Sequence, residues 1–315
     1  MPNHIDVSVI IPAWNAADTI GALIQQLLSE HNFSMEIIVV DDGSTDDTRH
    51  IVASIEDPRL VLMTQSNLGV YAARNEALAI HRGKWLMFLD ADDEVSEGFV
   101  YNRWQKVQAA QADVMVCNGW RIEPNGRSRA IHTRQPYGQR LSGHDWIRHC
   151  VTQREWPHYL WLQIARSSCI RSHQLQFHPG KSHKDILWTV ELALSNARFY
   201  IVEDKDYAYR INTASITNRA DYYDVRALSY LDVIAEIIRL GEQPQHRVLR
   251  RYLLRHALVE SRHFLGLYRN NVRDKAAIRR SFHERISYGS LLSGISNFSD
   301  LCFYLKLWLR MRGDN

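Results

Sequence analysis

Three acidic residues in four positions, Asp90, Asp92 and Asp93, follow directly on the apolar run Trp85-Leu86-Met87-Phe88-Leu89. That run reads as a buried strand, so the carboxylates stand at the carboxyl edge of a sheet, where open α/β folds bind ligands. Carboxylates this close repel one another unless a cation lies between them, and a hard divalent ion, Mg²⁺ or Mn²⁺, is the natural occupant. Such an ion commonly carries a diphosphate. A fourth acid, Asp185 in Ser182-His183-Lys184-Asp185, heads a helical pattern through Leu187, Val190, Glu191 and Leu194. A carboxylate there suits proton transfer and equally suits a plain helix cap. His183 beside it is a competing base or metal ligand, because an imidazole titrates near neutrality. His173, His178 and His183 recur at intervals of five and share no helix face, which argues against a zinc site.

Alternating elements are needed to bring these groups together. Val7 to Ile11 reads as a buried strand and Ala17 to Ser29 as a helix, with Ile20, Leu23, Ile24, Leu27 and Leu28 at helical spacing. Met35 to Val40 is a second strand, ending in Asp41-Asp42-Gly43-Ser44, and Asp46 or Thr45 caps a helix through Ile55. Arg59 to Thr64, Leu68 to Ile80 and Lys84 to Leu89 continue as strand, helix and strand. This rhythm predicts an α/β fold with a mostly parallel sheet and right-handed crossovers. Three strand-end loops, Pro12-Ala13-Trp14-Asn15, Asp41 to Ser44 and Asp90 to Asp93, then open on one edge. The first two suit a base and ribose, since an Asp accepts from the N3–H of a uracil, and the third suits metal and diphosphate. Further on come a helix from Gly98 to Gln111, a strand from Asp113 to Asn118, and a hairpin or loop from Glu123 to Tyr137. A short helix spans His144 to Cys150, and helices run from Tyr222 on, with breaks near Gly241-Pro244, Asn270-Asn271 and Gly289-Gly294.

With 315 residues the chain can bury a full core without a staple, and its four cysteines form no Cys-x-x-Cys pair. Buried reduced thiols are expected. The formal charge of +3 gives no reason to expect a nucleic-acid partner. It hides an asymmetry, with 16 Lys and Arg against 10 Asp and Glu from Asp221 on, whereas the part before is slightly acidic. The amino terminus lacks a basic n-region, and no apolar run approaches the roughly 18 residues of a spanning helix. A cytoplasmic protein is expected.

Four stretches resemble the bacterial family 2 glycosyltransferases of the GT-A fold: Val9 to Asn15, Ile38 to Asp46, Asn67-Leu68-Gly69-Val70-Tyr71-Ala72-Ala73-Arg74-Asn75, and Phe88 to Asp93. The resemblance implies a Rossmann-like GT-A domain over 1–220, with a nucleotide-sugar part at 1–118 and an acceptor part at 119–220, and a basic helical region at 221–315. It implies that Pro12, Ala13, Asn15 and Asp42 lie against the nucleotide, and that Gly69, Arg74, Asn75, Asp90 and Ala91 serve the donor. Asp90 and Asp92 become the metal pair, with Asp93 replacing or assisting one of them. Asp185 becomes the base of an inverting displacement, although the family's usual Glu-Asp is Lys184-Asp185 here. The implied cofactor is Mn²⁺ or Mg²⁺, and the implied partners are a nucleotide-diphosphate sugar and a glycolipid or oligosaccharide acceptor.

The acceptor half is rich in Trp, His and basic residues. Trp156, His158, Trp161, His183, Lys184 and Trp188 are acceptor candidates, since sugar faces stack on indoles, with at least two of the tryptophans expected in the core. Arg148, Arg154, Arg166, Lys181 and Lys184 suit an acidic acceptor or a donor with a carboxylate, and equally a solvated surface. The run from Arg154 to His158, then Trp161 and Lys184 to Thr189, resembles the enterobacterial transferases that decorate the lipopolysaccharide core, including those adding hexuronic acid. Another surface polysaccharide, or a non-catalytic nucleotide-sugar-binding assembly protein, is the alternative. Gly-x-Gly-x-x-Gly, a P-loop, a Gly-rich phosphate loop after the first strand and the processive Gln-x-x-Arg-Trp signature are all absent. The last helix, Leu301 to Arg312, has an apolar face beside Lys306 and Arg310. It suits peripheral contact with the inner membrane, or packing against the rest of the chain or a second subunit.

Overall fold

The computed structural model describes residues 4–210 and 222–313. The expectation for the first three residues and the boundary between 220 and 221 lie outside the described residues. The first half alternates as expected: β1 (Val7–Ala13), α1 (Ile20–Leu28), β2 (Met35–Asp41), α2 (Thr48–Ala53), β3 (Leu60–Thr64), α3 (Val70–Ile80) and β4 (Trp85–Phe88). There follow α4 (Phe99–Ala109), β5 (Val114–Ile122), β6 (Ser128–Ala130), β7 (Arg140–Ser142), α5 (Gly143–Gln153), β8 (Gln163–Arg166), α6 (Ser167–Ser172), α7 (Lys184–Leu194) and β9 (Arg198–Arg210). The carboxyl-terminal part is helical: α8 (Tyr223–Glu242), α9 (Arg250–Asn270), α10 (Lys275–Arg285), α11 (Tyr288–Ser293) and α12 (Phe298–Arg312).

The nine strands form one sheet in the order β3-β2-β1-β4-β8-β5-β9-β7, with β6 on β5. β1 pairs in parallel with β2 and β4, and β2 with β3. β8 runs antiparallel between β4 and β5, so β5 and its parallel neighbour β9 keep the direction of the first four strands. The sheet is therefore mostly parallel, with β6, β7 and β8 reversed. β1, β2 and β4 are buried throughout because helices cover both faces. On β1, Val7, Val9 and Ile11 join Ile20, Leu23 and Phe99 in one core. Ile10 points to the other face, whose core runs through Trp146 and Trp188 to Leu231, Leu254 and Phe264. The carboxyl-terminal helices thus share a core with α5 and α7.

Glu123 to Gly126 closes the predicted hairpin between β5 and β6. The stretch read as a break at Gly289-Gly294 instead holds α11, because the Ser287 hydroxyl accepts from the Ser290 N–H at 3.2 Å and caps a short helix. No helix among the described residues is long and apolar enough to cross a membrane.

Candidate active site

The three strand-end loops meet at one edge, held by short polar contacts. The Asp42 N–H donates to the Ala13 carbonyl at 2.8 Å, and the Asn15 N–H donates to Ser44 Oγ at 3.0 Å. The Asn15 side-chain oxygen accepts from the Thr45 N–H at 2.8 Å, while the Thr19 hydroxyl donates to the Ala91 carbonyl at 2.9 Å. Gly43 sits at φ +71°, where a Cβ would come 2.8 Å from the Asn67 nitrogen, so only glycine allows this approach. Asp46 accepts from the Thr48 N–H and hydroxyl at 3.0 and 2.6 Å and from the Ala17 N–H at 3.1 Å, a turn just ahead of α2, whose N-cap position is Asp47.

Asp42 is buried, and its carboxylate accepts from Gln65 Nε2, the Leu68 N–H and the Gly69 N–H at 2.6, 2.8 and 2.9 Å. It therefore fixes the loop that launches α3. From that helix Arg74, itself buried, donates through Nη2 to Asp90 Oδ1 at 2.6 Å, with its guanidinium beside the rings of Tyr71 and Phe177. Asn75 points elsewhere, exchanging two hydrogen bonds with the Phe177 backbone at 2.8 and 2.9 Å, and is not among the residues lining the cleft described below.

The acidic cluster divides by role. Asp93 Oδ2 accepts from the Asp90 N–H at 2.8 Å and its Oδ1 accepts from the Tyr207 hydroxyl, so both oxygens are taken up within the protein. Burial, then the Asp90 charge, pushes its carboxyl well above the usual range. Asp93 thus braces the loop through both oxygens. Tyr207→Phe is expected to cost about 1–3 kcal/mol of stability by leaving that buried oxygen unpaired, read as a lowered denaturant midpoint. Asp92 is exposed as a residue, yet protein crowds its carboxylate enough that desolvation, and after it the Asp90 charge, raises its pKa. Asp90 and Asp92 fit a hard divalent cation: two oxygen donors whose mutual repulsion an ion would relieve, with substrate phosphates completing the shell. Among the described residues, the His, Asp and Glu ligand atoms that converge unaided within 4.8 Å belong to His178, Glu191 and Glu236 instead.

Arg74 and Asp90 open onto a cleft of about 950 Å³ that also contains Asp185. Asp185 is the second residue of α7. The Tyr71 hydroxyl accepts from the Lys184 N–H at 3.0 Å and lies 3.4 Å from Asp185 Oδ1, to which it donates. His158 Nε2 lies 3.8 Å from Asp185 Oδ2. Tyr71 and Arg74 stand three residues apart on α3, so one helix face joins the candidate base to the acidic loop. Tyr71 falls within the Asn67 to Asn75 stretch, and its spacing from Arg74 was the signal that could have singled it out. His183 also lines the cleft, but burial, then the Arg226 charge, pushes its ring down to about 3, too weak a base for the role.

The other acceptor candidates separate. Trp156, His158 and Trp161 line the cleft. Trp161 stacks on Tyr207 at 3.8 Å between ring centres, and Arg103, fully buried, holds the Trp161 carbonyl and Asp206 beneath it. Two expectations are corrected. Lys184 is 2% exposed and donates to Asp232 at 3.0 Å, which anchors α7 to α8 rather than reaching the cleft. Trp188 is 1% exposed and stacks on Phe177 at 4.4 Å, a core residue whose apolar surroundings outweigh its stacking potential. Most of the basic residues are likewise spent on partners: Arg148 on Asp145, Arg154 on Asp300 and Arg166 on Asp113.

The mostly parallel sheet flanked by helices, with an acidic strand edge beside a cleft, has the architecture of a GT-A glycosyltransferase. Residues 8–160 match the family model described as Glycosyl transferase family 2. The chain is 28% identical over 297 residues to the uncharacterized glycosyltransferase YibD of Escherichia coli (strain K12), covering 90% of this chain and 77% of that one. Over 88 residues, 28% of this chain and 35% of the other, it is 44% identical to UDP-Glc:alpha-D-GlcNAc-diphosphoundecaprenol beta-1,3-glucosyltransferase WfaP of Escherichia coli. Residues 1–349 of S. aureus TarS share the fold with a TM-score of 0.68 at 19% identity, covering 99% of this chain and 93% of that one. TarS in complex with UDP-GlcNAc gives 0.56. Residues 8–160 thus carry a family 2 glycosyltransferase domain.

Proposed function

We propose that this glycosyltransferase inverts the anomeric centre of a UDP-linked sugar as it moves the sugar to a hydroxyl of a cell-envelope glycan of the lipopolysaccharide-core type. The observation that carries this reading is α3, which joins Asp185 through Tyr71 and Asp90 through Arg74 at one cleft. The acceptor hydroxyl gives its proton to an Asp185 oxygen as its own oxygen bonds to the anomeric carbon, and the bond from that carbon to the diphosphate breaks on the opposite side. Tyr71 and His158 hold Asp185 in place. Arg74 keeps Asp90 oriented toward the diphosphate. Asp90 and Asp92 would hold a divalent cation, which when bound would supply charge neutralisation for the departing diphosphate. Pro12, Ala13, Asn15 and Asp42 shape the nucleotide end, where Asp42 acts by holding the loop before α3. The UDP-GlcNAc complex of TarS and the UDP-Glc in the name of WfaP support a uridine donor, and the diphosphoundecaprenol in that name supports an envelope acceptor. Residues 1–118 then serve the donor and 119–220 the acceptor, with α8 and α9 of the basic helical region 221–315 lining the cleft.

The test is a titration of the full chain with UDP-glucose, UDP-GlcNAc and UDP-glucuronic acid, with and without Mn²⁺. Mn²⁺-dependent binding and slow hydrolysis of at least one donor are expected. If none binds, the transferase reading fails, and a response to UDP-glucuronic acid alone supports hexuronic acid transfer.

The protein works in the cytoplasm against the inner membrane through α12. Phe298 and Leu309 on this helix are 78% and 63% exposed, with Leu301 and Leu305 in line between them and Lys306 and Arg310 alongside. An apolar stripe with basic flanks fits an anionic leaflet. Leu305→Glu with Leu309→Glu is expected to weaken co-sedimentation with phosphatidylglycerol vesicles about tenfold, and equal sedimentation of variant and wild type counts against the contact.

A further inference from the structure

The cleft does not end at the candidate base. Beyond Asp185 it runs between the segment that carries Trp156 and the helices α8 and α9, where Tyr230, His256 and Glu260 line it. Trp156 packs on His256 with ring centres 4.5 Å apart, and His183 packs on Tyr230 at 4.2 Å. Only Pro157 separates Trp156 from His158, which touches Asp185. This chamber therefore adjoins the place where an acceptor hydroxyl must sit.

Its walls carry polar atoms that the protein itself leaves unpaired. His256 is 2% exposed and His132 is 6% exposed, yet among the described residues His256 Nδ1 and His132 Nε2 have no hydrogen-bond partner, nor does the buried Trp156 Nε1. Burial pushes the His132 ring down to about 4, so it is neutral. Orphaned polar atoms at such depth are costly unless something pairs with them. Their chemistry says what that partner is. Trp156 offers only a donor. His256 pairs through Nε2 with Glu260 Oε1 at 3.1 Å, which leaves Nδ1 to a further partner. Burial alone would raise the Glu260 carboxyl, but the hydrogen bond and charge from His256 outweigh it and hold it below the usual range. An ionised carboxylate at this wall repels a phosphate or carboxylate. Arg154, which also lines the cleft, is committed to Asp300 at 2.7 Å, and Arg226 already lies over the Tyr223 ring.

We infer that the end of the cleft built by α8 and α9 is a subsite for a neutral pyranose ring of the glycan acceptor, read by His132, Trp156, His256 and Glu260. Sugar hydroxyls both donate and accept, so they can pair with an indole N–H, imidazole nitrogens and a carboxylate along this wall. The helical region thereby becomes part of acceptor selection. This assignment rests on the transferase reading above, which places acceptor chemistry at Asp185.

Saturation-transfer NMR on the full chain tests it, with methyl β-glucoside and the methyl glycoside of N-acetylglucosamine as probes, inorganic phosphate as competitor, and UDP affinity measured on the same samples. Wild type is expected to bind at least one glycoside, and His256→Gln to weaken it about tenfold with UDP affinity changed less than about twofold. Val259→Phe, which adds bulk at a partly exposed cleft wall without touching a buried polar group, is expected to do the same. Glycosides that bind both variants as they bind wild type, or no glycoside binding to wild type, overturn the subsite. Displacement of the glycoside by phosphate overturns its neutral character. Loss of UDP binding by wild type would instead sink the transferase reading.

Discussion

Asp185→Asn is expected to lower turnover by about 10²–10⁴-fold, the range that removing a general base commonly costs. The substitution keeps the size of the side chain and an oxygen for the Tyr71 hydroxyl, which lies 3.4 Å away, so the start of α7 should stand. What it removes is the ability to take a proton. UDP affinity should stay within about threefold, because the loops proposed for the nucleotide, at Pro12 to Asn15 and Asp42, lie outside α7. The measurement is steady-state turnover beside UDP calorimetry, and a loss of less than about tenfold would move the base elsewhere, with His158 the nearest candidate. A Tyr71→Phe variant separates positioning from proton transfer: it should lower turnover by less while leaving the shape of the pH profile intact.

Asp92→Asn carries the second large effect. Asp92 is exposed and has no side-chain hydrogen bond or ion pair among the described residues, whereas Asp90 pairs with Arg74 and Asp93 braces its own loop. Stability should therefore change by no more than about 0.5 kcal/mol, with the sign favourable because a like charge beside Asp90 is gone. Turnover with Mn²⁺ should fall about 100-fold or more, and chelation of the wild type by EDTA should bring it to a similar level. Unchanged activity in both experiments would show that the diphosphate is handled by protein cations alone. Asp90→Asn is the less informative variant, because it also leaves the buried Arg74 guanidinium without its carboxylate.

The first half of the fold was legible because its strands are buried on both faces and its helices alternate with them at short intervals. β7, β8 and β9 were not. β7 and β8 have three and four residues, too short for a period, and β9 mixes charged and apolar residues as it passes beneath the cleft. Asp46 could be read as a local structural residue because its bonds to Thr48 form a turn within two positions. Lys184 and Trp188 could not be assigned in that way, since a lysine in a basic, aromatic segment looks the same whether it faces a ligand or Asp232 on a helix 48 residues later.

The sequence by itself determined the class of chemistry: an acidic cluster at the end of a late strand, a matching pair of earlier strand-end loops and a lone Asp at the head of a helix. Local order suffices for this, because a parallel sheet sends every strand end to the same edge. Only the tertiary structure decided how the acids divide their work. Asp93 is taken up by Tyr207, a residue 114 positions away, and Asp185 meets α3 through Tyr71 over the same separation. Likewise, His256 and Glu260 enter the cleft because α9 packs on the face of the sheet that carries α5 and α7. Such roles depend on which oxygen is already paired, and pairing across the fold leaves no period or motif along the chain.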